Sequence, residues 1–137
     1  MTSFVVNGTD FGINAARSRF SVTRSFFRGA SLDVEIEGDQ GRFDAIKSPE
    51  DSEWSWALYP PSFYLRAYPI PKPKDGAPID LRLQPGDTGK YDVALYMMEH
   101  NPVADVTIHL VPDSQIVIAG RVELFGEPGE FRIEWNR

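Results

Sequence analysis

The chain contains no cysteine among its 137 residues. Without a thiol it has no disulfide framework, no thiolate metal site and no cysteine nucleophile. Its only histidines are His100 and His109, and a histidine-based metal centre needs several ligands that converge on one point. We therefore expect no metal and no cofactor. The absence of cysteine also fits a reducing compartment.

Long apolar runs are also missing. No segment approaches the roughly 18 consecutive apolar residues that a membrane-spanning helix requires. The N-terminal segment up to Gly8 shows neither the basic region nor the apolar stretch of a signal peptide. These observations predict a cytoplasmic protein without a membrane partner.

Catalytic signatures are absent as well. The sequence has no nucleophile elbow, phosphate-binding loop, dinucleotide fingerprint or zinc-helix motif. The serines are scattered, and none has a plausible histidine partner in the sequence. Carboxylate pairs abound, but any acidic chain supplies such pairs by chance. We therefore assign no catalytic residue.

The charge is unbalanced towards acid, with a formal net charge of −6. Residues 31–53 hold eight carboxylates and only two cations, so this segment carries the whole excess. Nucleic-acid binding needs a basic footprint, so we expect no nucleic-acid partner. An acidic face suits a basic protein partner, but it equally suits a solvated face that only aids solubility. A basic run precedes the acidic segment and consists of Arg17, Arg19, Arg24 and Arg28.

The most regular pattern lies in residues 105–137. Apolar and polar residues alternate there through three consecutive segments, which is the period of half-buried β-strands. Short turns between the segments predict an antiparallel meander. The apolar positions are Val106, Ile108, Leu110, Ile116, Ile118, Val122, Leu124, Phe131, Ile133 and Trp135.

Similar alternation predicts shorter strands in the rest of the chain. Together with the meander, they predict one mainly β domain over residues 1–137. We expect an antiparallel β-sandwich or a partly closed barrel of about nine or ten strands. The shorter predicted strands are 3–7, 19–27, 32–37, 42–46, 54–58, 63–68, 79–83 and 91–98.

Helical structure should be limited to one or two short turns. Asp10 can cap a turn over residues 10–16. Ser48 and Pro49 form a helix-start signature, because serine caps helices and proline suits the first helical position. Residues 38–41 and 99–102 are rich in turn formers and predict tight turns.

Prolines interrupt the second half of the chain. Four of them fall in residues 69–78, where they rule out a regular central strand and predict an extended surface loop. Residues 85–87 predict a further turn.

Aromatic residues cluster in residues 54–68. We interpret Trp54, Trp56 and Leu58 as core residues of one strand. Tyr64 and Tyr68 share a strand face with the charged Arg66, so they are the better candidates for contact with another molecule.

The acidic strand over 32–37 precedes this aromatic strand. Its carboxylates alternate outwards, whereas Leu32, Val34 and Ile36 alternate inwards. We expect these carboxylates and the polar side of the aromatic strand to form one binding surface. The predicted partner-binding residues are Asp33, Glu35, Glu37, Tyr64, Arg66 and Tyr68.

Our leading hypothesis is a non-catalytic protein-binding domain, with a bacterial immunity-type inhibitor of a basic enzyme or toxin as one concrete form. Small size, acidity and the missing catalytic set favour it. The alternative is a small-ligand or glycan-binding β protein that uses the aromatic cluster. A third hypothesis is an enzyme with scattered carboxylates. A large apolar cavity favours a carrier, and a flat acidic face bordered by tyrosines favours the inhibitor.

Overall fold

The computed structural model describes residues 2–24, 29–52, 54–70, 74, 76–83 and 91–137. These residues form eleven strands, one α-helix and a 3₁₀ turn over Ala15–Arg17. In chain order the strands and the helix are β1 Ser3–Val6, β2 Thr9–Asp10, β3 Arg19–Arg24, β4 Ala30–Glu37, α1 Gln40–Lys47, β5 Ser62–Ile70, β6 Ile79–Leu83, β7 Tyr91–Met97, β8 Glu99–Asn101, β9 Val103–Val111, β10 Gln115–Leu124 and β11 Glu127–Asn136.

The strands form two antiparallel sheets that are not closed into a barrel. The six-stranded sheet has the order β2-β1-β11-β10-β9-β6, and the five-stranded sheet has the order β3-β4-β5-β7-β8. The predicted mainly β sandwich is therefore confirmed, and the barrel is not the architecture found. Strands β2 and β8 were not predicted, because each is too short to show an alternating pattern.

The C-terminal meander is confirmed in order and register. Strands β9, β10 and β11 are direct neighbours, and Ile118 lies opposite both Ile108 and Ile133. Every apolar position predicted for the meander is buried. Its inner face therefore supplies the six-stranded side of the core.

Aromatic pairs join the two sheets across this core. Phe63 of β5 meets Phe131 of β11 with ring centroids 5.5 Å apart. Phe20 of β3 meets Trp135 of β11 edge-on at 5.4 Å. Such pairs contribute about 0.5–1.5 kcal/mol beyond the area they bury. They fix the five-stranded sheet, which carries the predicted binding residues, on the meander.

A helix replaces the strand predicted over 42–46 and the end of the turn predicted over 38–41. Asp39 caps α1: its carboxylate accepts a hydrogen bond from the Arg42 backbone N–H at 2.8 Å. Its carbonyl accepts a second one from the Phe43 N–H at 2.9 Å. Phe43 is buried against Phe11, with ring centroids 6.2 Å apart. The cap at Asp39 and the buried Phe43 stabilise the helix. The sequence did not predict it, because so short a segment shows no reliable helical or strand periodicity.

Replacing Asp39 by alanine is expected to lower the free energy of unfolding by about 0.5–2 kcal/mol, because the first turn of α1 loses its cap. Asp44→Ala is the matched control, since Asp44 is exposed and only accepts a hydrogen bond from Gln40. It should stay within about 0.5 kcal/mol of the parent. Urea melts measure both variants, and equal midpoints would contradict a capping role for Asp39.

Ser48 and Pro49 end α1 instead of starting a second helix. Ser48 is the C-cap residue, and its hydroxyl donates to the carbonyl oxygen of Ala45 at 3.1 Å. Pro49 lacks the N–H that would continue the helix. The predicted helix start is wrong, because serine and proline occur at both ends of helices and here they follow the last turn. The N-cap of the helix is Asp39, earlier in the chain.

The strand predicted over 54–58 is also wrong. The backbone makes two consecutive turns there: the Ser55 N–H donates to the Ser52 carbonyl at 3.1 Å, and the Ala57 N–H donates to the Trp54 carbonyl at 3.0 Å. Turns give the backbone hydrogen-bond partners that a strand would need from a neighbour. The alternation of tryptophan and serine over residues 54–56 therefore does not indicate a β-strand here.

The side chains of this segment do not share one environment. Trp54 is buried and meets Phe11 edge-on at 5.4 Å. Trp56 is 40% exposed and Leu58 is 67% exposed. The core interpretation is confirmed for Trp54 and wrong for Trp56 and Leu58, because a turn does not place alternate side chains on one face.

Three smaller predictions need correction. Asp10 lies in β2, where its carboxylate accepts hydrogen bonds from the backbone N–H groups of Phe4 and Gly12, so it caps no helical turn. Pro69 does not begin a loop but continues β5 at a register shift against β4, where a missing N–H is tolerated. Glu99 begins strand β8, which pairs with β7.

Parts of other predictions lie outside the described residues. These are the end of the strand over 19–27, residues 71–73 and 75 of the loop over 69–78, and the turn over 85–87. Of the described residues of that loop, Lys74, Gly76 and Pro78 are exposed and Ala77 is half-buried, whereas Pro69 and the buried Ile70 belong to β5.

Candidate functional site

The predicted binding residues lie side by side on two neighbouring strands. In the antiparallel pair β4 and β5, Asp33 lies opposite Arg66, and Glu35 lies opposite Tyr64. The intervening residues are buried, so the predicted residues point away from the core. This outward surface is called the β4–β5 face. It comprises Asp33, Glu35, Glu37, Tyr64, Arg66 and Tyr68.

Each carboxylate of the β4–β5 face forms an ion pair with an arginine. Two of these arginines come from the basic run that precedes the acidic strand, because β3 pairs with β4 and the 3₁₀ turn lies beside it. Exposed pairs of this kind contribute little stability, about 0–1 kcal/mol each. The pairs are Asp33–Arg66 at 2.8 Å, Glu35–Arg19 at 3.1 Å and Glu37–Arg17 at 3.7 Å.

The β4–β5 face is therefore close to neutral. Asp92 of β7 lies opposite Arg66 on the other side of β5. The face and its neighbours then hold four carboxylates, three from β4 and one from Asp92. Three arginines oppose them, so the net charge of this group is −1. Sequence reasoning missed that the arginines neutralise these carboxylates. The available signal was the order of the strands, because an arginine-rich strand that directly precedes an acidic one can pair with it as a hairpin.

Arg66 is the best-fixed charge on the face. Its Nε–H donates to the Asp33 carboxylate, and this hydrogen bond raises the pKa of Arg66, with a smaller contribution from Tyr64. The guanidinium thus stays protonated through the physiological range. The side chain is 65% exposed, so a partner can reach the guanidinium.

The two tyrosines of the face differ in their surroundings. Tyr64 is half-buried and borders two shallow depressions, one shared with Glu35 and the other shared with Asp92 and His100. Tyr68 is 46% exposed and lies at the register shift between β4 and β5. Such bulges commonly re-aim a side chain at the edge of a functional surface.

Tyr96 extends this aromatic surface and was missed by the sequence reasoning. It lies on β7 opposite Ser62 of β5 and opposite His100 of β8. The Tyr96 and His100 rings meet edge-on at 5.6 Å. The alternation of β7 places Tyr96 on the same side as Asp92, and this was the available signal.

The histidines do not come together. His100 belongs to the five-stranded sheet, whereas His109 lies on β9 of the other sheet and contacts Asp80 at 2.7 Å. Within the described ranges, no three or more histidine or acidic side chains are placed to share a metal ion. The absence of a cofactor stays a prediction.

Comparison of the chain with protein-family models, with curated proteins and with solved structures finds no match. In the part of the chain that the structure describes, no helix is long and apolar enough to cross a membrane.

Proposed function

We propose that this chain is a non-catalytic protein-binding domain, and that the β4–β5 face is its contact surface. An immunity-type inhibitor of a basic enzyme or toxin is the concrete form that we favour. The observation that carries the proposal is the position of Arg66, which Asp33 holds in place between Tyr64 and Tyr68 on one exposed strand face.

The residue types of this strand support the proposal. Tyrosine and arginine are enriched among the few residues that dominate the affinity of protein interfaces. A side chain that is already held before binding loses less conformational entropy on association. Arg66 meets this condition through its hydrogen bond to Asp33, and Tyr64 meets it through its partial burial.

The carboxylates give the surface its preference for a basic partner. The side chains of Glu35 and Glu37 are 49% and 29% exposed, so a lysine or arginine of a partner can share these carboxylates, that of Glu35 more readily. The net charge of the chain adds a long-range attraction for a basic protein. We propose a cytoplasmic setting, in which neither nucleic acid nor a membrane takes part.

A double variant, Glu35→Gln with Glu37→Gln, is expected to slow association with a basic protein partner and to weaken its dependence on salt. The reason is that the net charge of the face changes from negative to positive. Tyr64→Ala is expected to speed dissociation instead, because it removes desolvated contact area. Surface plasmon resonance on the captured partner separates the two rates.

Thr107→Ala is the matched control for this measurement. Thr107 is exposed on β9 of the other sheet, so both rates should equal those of the parent. If the β4–β5 variants also bind like the parent, the acidic strand is a solvated face only, and the proposed surface is wrong.

A glycan or small polar ligand is the second candidate, and the two depressions beside Tyr64 favour it. A sugar ring stacks on an aromatic face and hydrogen-bonds to polar neighbours, here Glu35 on one side and Asp92 on the other. Between the sheets the buried side chains form one continuous apolar core, so this candidate depends on the surface. Saturation-transfer NMR with soluble oligosaccharides tests it, and loss of the signal in Tyr64→Ala would support it.

A further inference from the structure

A second group of large side chains is exposed outside the β4–β5 face. Trp56 and Phe125 are 40% and 56% exposed, and their rings meet edge-on with centroids 5.1 Å apart. Leu58 and Tyr59, which follow Trp56 in the chain, are 67% and 64% exposed. We call the surface formed by Trp56 and Phe125 the end patch. It shares no residue with the β4–β5 face.

Phe125 occupies a backbone position that does not suit phenylalanine. It forms the two-residue loop between β10 and β11 together with Gly126, and the φ angles are +52° and +80°. A hairpin loop with two positive φ angles favours asparagine followed by glycine, and a bulky residue there is uncommon. The turn alone therefore gives no reason for an aromatic residue at Phe125.

The end patch rests on a fixed base. Trp54 is buried, and its ring lies 6.1 Å from that of Trp56. The buried Nε1–H of Trp54 has no acceptor among the described residues. On its other side Trp54 packs against Phe11 of the core. Trp56 and Phe125 are therefore connected through ring contacts to the buried core, which limits the ordering that binding a partner would require.

Exposed carboxylates flank the end patch in the chain. The nearby cations are already engaged: Lys47 donates to the carbonyl oxygen of Ala57, and Arg121 forms an ion pair with Asp105. The flanking carboxylates are all exposed, and the structure shows no ion pair between them and any described residue. They are Glu50, Asp51, Glu123 and Glu127.

We propose that the end patch is a docking site for a protein segment in which lysine or arginine residues flank large apolar side chains. Apolar side chains of the segment cover Trp56 and Phe125, and its cations pair with the flanking carboxylates. Exposed aromatic groups with a charged border are typical of such interaction sites. A second copy of this chain does not fit, because it would place like-charged borders against each other.

The first test is an NMR titration of the ¹⁵N-labelled chain. The probe is a synthetic peptide with a Leu-Trp-Leu centre flanked by lysines, and the same centre flanked by glutamates is its control. The indole N–H signals of Trp54 and Trp56 should shift with the lysine peptide only. The indole signal of Trp135 should stay in place, because Trp135 packs against Phe20 between the two sheets, whereas Trp54 lies directly against Trp56 of the end patch.

Phe125→Asn is the decisive variant. Asparagine followed by Gly126 suits the hairpin loop, so the unfolding midpoint should equal or exceed that of the parent. The affinity for the lysine peptide should fall by about tenfold or more, because an interface aromatic is lost. A double variant, Glu123→Gln with Glu127→Gln, should weaken binding and reduce its salt dependence.

Tyr64→Ala separates this proposal from the proposed function. It should leave peptide binding unchanged, so either surface can fail without the other. The end-patch proposal is overturned if the lysine and glutamate peptides bind alike, or if Phe125→Asn binds like the parent. It is also overturned if Phe125→Asn lowers the unfolding midpoint, since Phe125 would then serve the fold. Parent dimers that Phe125→Asn abolishes would identify a second copy as the occupant instead.

Discussion

Replacing Trp135 by alanine is expected to lower the free energy of unfolding by about 3–5 kcal/mol, which leaves the chain close to unfolded at room temperature. Trp135 is the last buried residue of β11, and it packs edge-on against Phe20 of the other sheet. The guanidinium of Arg137 also lies 5.5 Å from its ring. The substitution therefore removes buried area, an aromatic pair and a contact between the two sheets.

The neighbouring Glu134→Ala is the matched control for the same strand. Glu134 points to the opposite face, and its carboxylate pairs with Arg132 of the same strand at 2.6 Å. Such a short-range pair contributes at most about 0–1 kcal/mol. Urea melts should therefore separate the two variants clearly. Equal midpoints would mean that the register of β11 is wrong.

Gly29→Ala is expected to have the second largest effect. Gly29 has a φ of +54°, a conformation that is unfavourable for any residue with a Cβ by about 1–2 kcal/mol. A Cβ at this position would also overlap the backbone carbonyl oxygen of Ile70, at the end of β5. Forcing a methyl group into packed backbone typically adds about 1–3 kcal/mol.

Gly8→Ala separates these two contributions. Gly8 has a φ of +82°, but a Cβ there would meet no atom within 4 Å. Its expected effect is the backbone strain alone, about 1–2 kcal/mol. The difference between the two variants then measures the clash with Ile70. If thermal melts show the same loss for both, the close approach at Gly29 is wrong.

The sheets were predictable because one face of each strand is buried. A period of two then appears directly in the sequence, as in Leu32, Val34 and Ile36 of β4. The same parity placed Tyr64 and Arg66 on the outward side of β5, and the structure confirms that placement. The alternation of apolar and polar residues therefore predicted both the fold class and which residues lie on the β4–β5 face.

Local patterns failed where contacts distant in sequence decide the structure. The ion pair of Glu35 with Arg19 depends on the pairing of β3 with β4. A count of charges along the chain therefore does not show that the carboxylates of β4 are paired with arginines. The end patch depends on the meeting of Trp56 with Phe125, which are far apart in the sequence. Helix α1 is short, and its cap Asp39 lies among the turn-forming residues 38–41, which predict a tight turn instead of a helix start.

Differential capture from native lysate tests the central claim most directly. The parent chain and a Tyr64→Ala, Arg66→Ala double variant are immobilised at equal density, and the retained proteins are compared by quantitative mass spectrometry. The account predicts a basic protein that the parent retains and the double variant loses, while both chains keep the same far-ultraviolet spectrum. Equal retention of every protein by the two folded chains would contradict binding through the β4–β5 face.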